Sequence, residues 1–72
     1  MFSVMYIERE PNGLKFYKTL FKSANYEECI AQMTYALITH RTALERNGDH
    51  FIAILDKAYN KVFPKGFPAW EL

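Results

Sequence analysis

The chain has 72 residues, half of them hydrophobic, with nine Lys and Arg against eight Asp and Glu and a formal net charge of +1. One cysteine excludes an internal disulfide, and the near-zero charge argues against a dedicated nucleic-acid binder. Six Phe, five Tyr and one Trp supply more core material than a disordered chain carries. At this length a domain buries only about 60% of the surface that its unfolded chain exposes, so stability has to come from a dense core, an oligomer or a partner.

The longest uninterrupted apolar run, Phe51 to Leu55, is far short of the ~20 residues of a membrane-spanning helix. The opening MFSVMYIERE lacks the basic segment and long apolar stretch of a signal peptide. The expectation is a single cytoplasmic domain with a reduced Cys29 and no membrane partner.

Residues 2–9, FSVMYIER, and 14–22, LKFYKTLFK, are rich in aromatic and β-branched types and flank EPNG. Pro11 suits the first central position of a type I turn, Asn12 the second, and Gly13 the left-handed position that follows it. This spacing predicts an antiparallel hairpin in which Ile7 faces Tyr17 and Val4 faces Leu20, with apolar groups on both faces.

Asn25 followed by Glu28 resembles a capping box, Ser23 competes as a cap, and Asn47-Gly48 supplies a stop, which predicts one long helix over 25–47. At ~100° per residue, Tyr26, Cys29, Ile30, Met33, Ala36, Leu37, His40 and Leu44 share one stripe, which should cover the hairpin. A thinner apolar line, Ala31, Tyr35, Ile38 and Thr42, recurs on the opposite side.

What covers that line depends on residues 49–63, DHFIAILDKAYNKVF. Read as a helix capped by Asp49, the segment gathers His50, Asp56, Lys57, Asn60 and Lys61 into one polar arc of ~140°. That is the favoured reading, and it packs the second helix on Tyr35 and Ile38. Read as strands, HFIAIL and KVF pair around DKAYN as a second hairpin, giving ββαββ, although that turn contains neither Gly nor Pro. The Tyr35 line then stays exposed and becomes a dimer or partner surface. Either way the fold is α+β with an aromatic C-terminal tail, 64–72. There, a turn at Phe63-Pro64-Lys65-Gly66 should return Phe67 and Trp70 to the fold as a clasp; the rival is a proline-stiffened arm presenting Trp70 to a partner.

Catalytic equipment is sparse. Cys29 and His40 lie eleven residues apart, ~16 Å along a helix, too far for a nucleophile and its base. Two histidines and one cysteine fall at no metal-ligand spacing, and Glu27 and Glu28 read as acids complementing a helix N-terminus. Each of the three glycines fits a turn or cap, and Ser3 and Ser23 lie in no Gly-flanked elbow. No catalytic residue, cofactor or metal is therefore expected.

The expected function is a small non-enzymatic module that binds another protein as an inhibitor or accessory regulator. By analogy alone, domains of this size and balance are common among bacteriophage host-takeover and anti-defence proteins. The candidate contact residues are Tyr35, Ile38, Thr42, Phe67 and Trp70. The alternative is nucleic-acid binding through Lys15, Tyr17, Lys18 and Lys22, which put aromatics and bases on one hairpin. A homodimer or larger homo-oligomer built on Tyr35 and Ile38 is compatible with either.

Overall fold

The computed structural model describes residues 1–63, and the expected tail contacts of Phe67 and Trp70 lie outside them. Four strands, β1 (Phe2–Glu10), β2 (Gly13–Ser23), β3 (His50–Leu55) and β4 (Lys61–Phe63), form one sheet in the order β2-β1-β3-β4 with every pairing antiparallel. Two helices, α1 (Tyr26–Thr39) and α2 (Arg41–Arg46), connect the hairpins and lie on one face of the sheet. The class is α+β, as the residue pattern implies.

The first hairpin closes more tightly than the spacing predicts. Glu10 pairs with Gly13, leaving Pro11 and Asn12 as a two-residue loop, and Gly13 takes a φ of +144° that an L residue adopts only with strain. Ile7 consequently pairs with Phe16 rather than Tyr17, and Val4 with Phe21 rather than Leu20. β2 has eleven residues against nine in β1, and the excess is taken up by register shifts that leave Tyr17 and Leu20 without a partner on β1. Such bulges bend a strand and re-aim its side chains.

The helix starts where the sequence indicates. Asn25 Oδ1 accepts from the backbone N–H groups of Glu27 and Glu28, while the Asn25 N–H donates to Ser23 Oγ. Asn25 and Ser23 therefore cooperate at this end rather than compete. The single long helix is interrupted at His40, whose φ of −100° and ψ of 16° leave the helical region. Just before the break, Thr39 Oγ1 donates back to the Tyr35 carbonyl, the kind of bond that bends helices. α2 ends at Asn47, whose side-chain amide donates to the Ala43 carbonyl.

The second helix favoured over 49–63 is not formed; the segment is the alternative hairpin, β3 and β4. Its turn manages without Gly or Pro because Asp56 organises it. Asp56 Oδ1 accepts from the N–H groups of Ala58 and Asn60, the Asp56 carbonyl accepts from Tyr59 N–H, and Asp56 N–H donates to the Asn60 carbonyl. Tyr59 completes the reversal at a φ of 64°, in the left-handed region.

The core follows from this order. Under the helices sit Val4, Tyr6, Cys29, Met33, Ala36, Ile52 and Ile54, while Met5, Ile7, Ala53 and Leu55 are buried on the other face with Leu14 and Phe51 against them. β1 and β3 are central strands, so Val4–Ile7 and Ile52–Leu55 are buried without alternation.

Candidate functional site

Aromatic rings converge where the middle of the first hairpin meets the break between the helices and the start of β3. Tyr6 stands on the helix-facing side of β1 and is 9% exposed. Its ring centre lies 5.4 Å from that of His40, 5.4 Å from that of His50 and 6.1 Å from that of Tyr17, edge-on in each case. Tyr6, Tyr17, Lys18, Leu20, His40 and His50 line an open cavity of about 300 Å3.

Each wall has a local cause. Tyr17 and Leu20 are the two residues that the bulges of β2 leave unpaired, and both turn toward Tyr6. His40 is the residue at which the helix breaks, and it makes no side-chain capping bond. His50 opens β3 and pairs with Glu8 across the ladder. Two bulges and one helix break thus supply three of these six lining side chains.

Hydrogen bonds fix the polar edge of the box. Tyr17 Oη donates to one oxygen of Glu8, and the other lies 3.9 Å from His50 Nε2. The Tyr6 hydroxyl and His50 Nδ1 share a hydrogen bond of 2.8 Å, in which the imidazole tautomer sets the donor. The bond to Glu8 also raises the pKa of Tyr17 above its ordinary value. Lys15 lies with its ammonium 4.9 Å from the Tyr17 ring centre, a cation–π distance.

The chemistry-bearing residues anticipated from sequence divide in two. Of the basic–aromatic set, Tyr17 and Lys18 line the box and Lys15 stacks on Tyr17, but Lys22 lines a separate cavity with Met1, Ser3 and Met5 on the opposite face of the sheet. The hairpin therefore carries no continuous basic track. Glu8, Tyr6, His40 and His50 were not anticipated as neighbours. His40 and His50 sit at no recognisable motif spacing, and only the tertiary fold brings them to one ring cluster.

The second surface is the outer side of α1. Tyr35 is 69% exposed and Ile38 71%, with Ala31 also exposed on α1, while Thr42 is exposed on α2 beyond the break at His40. A shallow groove of about 140 Å3 between α1 and β2, lined by Leu20, Phe21, Gln32, Tyr35 and Thr39 among others, runs from this line toward His40.

Cys29 is fully buried and its Sγ lies 3.9 Å from the Phe2 carbonyl, and burial pushes its thiol pKa up. Among the described residues no three His, Cys, Asp or Glu side chains are grouped as metal ligands, and no helix is long and apolar enough to cross a membrane. The chain matches no protein-family model, no curated protein and no solved structure.

Proposed function

We propose that this chain is a non-catalytic binding module that attaches to another protein through the outer side of α1 and regulates it, as an inhibitor or accessory subunit does. The exposure of Tyr35 and Ile38 carries the reading. Two large apolar side chains one turn apart stand clear of the core on a helix whose opposite stripe is already buried on the sheet. Burying them against the chain would have required the second helix; the segment 49–63 joins the sheet instead and leaves the line uncovered by any described residue.

Aromatic and branched apolar groups of this kind are typical anchors, because they bury much area for few rotatable bonds. Ala31 at one end of the line is small enough for a partner backbone or helix to approach closely. The host-takeover and anti-defence proteins of bacteriophages offer a biological setting by analogy of size alone.

The test is capture of partners from host lysate on the immobilised full chain, beside Tyr35→Asp and Ile38→Asp variants, with light scattering on the same proteins. The expected result is a specific protein retained by the parent chain and lost with either variant, at unchanged circular dichroism. Retention that survives both variants would refute the assignment to α1. A parent chain that scatters as a dimer, and becomes monomeric with Tyr35→Asp, would assign the surface to a second copy instead.

A further inference from the structure

The ring cluster does work that core packing does not require. Tyr17 is 47% exposed, yet its hydroxyl is anchored on Glu8 and its ring is held beside Tyr6 and His50, 5.5 Å from the imidazole centre. A solvent-facing tyrosine on a strand edge often makes no tertiary contact; this one is hydrogen-bonded and packed against two rings at the mouth of a cavity. The cavity volume, about 300 Å3, falls at the lower end of the range for small-molecule sites, enough for one planar ring system.

The charges select among guests. Aromatic boxes commonly hold quaternary ammonium groups, but here Lys18 carries the only fixed charge among the described lining side chains, and it is positive. The nearby carboxylate of Glu8 is outside the lining, with its oxygens turned to Tyr17 and His50. His40 lines the cavity and makes no side-chain capping bond to α2. Lys18 is exposed at the rim and Lys15 lies beyond it on Tyr17, so an anion would be met outside the apolar interior.

We propose that the box is a binding site for a free nucleotide, its base laid on the half-exposed ring of Tyr17 beside the imidazole edges and its phosphate held at the rim by Lys18. The displacement of Lys22 to the other face disfavours a strand of nucleic acid as the guest, because a strand needs basic groups along its path. The box adjoins the groove from Tyr35 at Leu20 and His40, but Tyr17 and Lys18 lie outside that groove and Tyr35 and Ile38 outside the box, so failure of either reading leaves the other standing.

The experiment is an NMR titration of the full chain, following the ring protons of His40 and His50, with adenosine monophosphate, adenosine, inorganic phosphate, tetramethylammonium and a short single-stranded oligothymidylate as separate probes. Adenosine monophosphate is expected to shift both histidines saturably, with adenosine and phosphate alone each binding more weakly. Tyr17→Ala and Lys18→Ala should each weaken binding by about tenfold, the scale of one lost base stack or one lost charge-assisted contact. Lys22→Ala should change nothing. Both altered residues are exposed, and backbone amide spectra verify that the variants fold. The proposal is overturned if millimolar adenosine monophosphate produces no saturable shift, or if tetramethylammonium binds more tightly. It is equally overturned if oligothymidylate binds more tightly and Lys22→Ala weakens it.

Discussion

Tyr59 offers a sharp test of the second hairpin. Its φ of 64° places a bulky side chain in the left-handed region, which costs an L residue roughly 1–2 kcal/mol relative to glycine. Its ring recovers part of that cost against Phe16, with centroids 6.0 Å apart at a tilt of 44°. Tyr59 is 62% exposed and Phe16 43%, so the pair belongs at the low end of aromatic energies, about 0.5 kcal/mol. Tyr59→Gly removes both effects and should stabilise the protein by about 0.5–1.5 kcal/mol, a rise in Tm of roughly 2–12 °C for a domain of this size. Tyr59→Ala removes the ring but keeps the strain, and should destabilise by about 0.5 kcal/mol. Glycine is thus expected to exceed alanine by about 1–2 kcal/mol, the reverse of their order in regular structure, where glycine is worse by roughly 0.5–1 kcal/mol. Urea denaturation followed by far-ultraviolet circular dichroism resolves that difference. An alanine variant as stable as the glycine variant would refute a left-handed residue at this turn, and with it the reading of how DKAYN reverses the chain.

Two further outcomes follow from the core and from the same loop. Ile54→Ala removes a fully buried side chain from the centre of β3 and should cost about 2–5 kcal/mol. Against a total of about 4–11 kcal/mol at 0.05–0.15 kcal/mol per residue, such a loss leaves a marginal fold, visible as a collapsed denaturation midpoint; a change below about 1 kcal/mol would contradict its placement. The Asp56 carboxylate has its pKa lowered, first by the N–H of Asn60 and then by that of Ala58. A lowered carboxylate pKa contributes stability above the ordinary carboxylate range, and that stability is lost as pH falls through the lowered value. Amide exchange at Ala58 and Asn60 should therefore accelerate, relative to the centre of β3, only when the solution is acidified below the usual aspartate range. Asp56→Asn should abolish that pH dependence, and a variant that keeps it would show that another group controls the loop.

The first hairpin and the N-terminus of α1 were legible because their signals are local. Pro11, Asn12 and Gly13 restrict the backbone of the turn, and Asn25 offers a side-chain oxygen two and three residues before the N–H groups that it accepts. The buried stripe of α1 was legible in Cys29, Met33 and Ala36 for the same reason, since helical periodicity is a property of neighbours in sequence. The misreading of 49–63 is instructive. Its polar residues fit a helical arc, but Phe51–Leu55 is a continuous apolar run, and a central strand buried on both faces requires such a run. Only the presence of β1 beside it, with both faces covered, turns that run from an ambiguous pattern into a strand.

The ring box was not legible at all. Glu8, Tyr17 and His50 meet because β2 bulges at Tyr17 and because β3 pairs with β1 so that His50 lies opposite Glu8. His40 arrives because the helix breaks there. The sequence by itself determined an α+β domain, the hairpin and the helix start, all set by interactions a few residues long, whereas the exposure of the Tyr35 line depended on 49–63 joining the sheet. The tertiary structure decided the sheet order, the exact partners across β1 and β2, and the cavity of Tyr6, Tyr17, His40 and His50. These depend on pairings between distant segments, whose energies are sums of many weak contacts that no local pattern encodes.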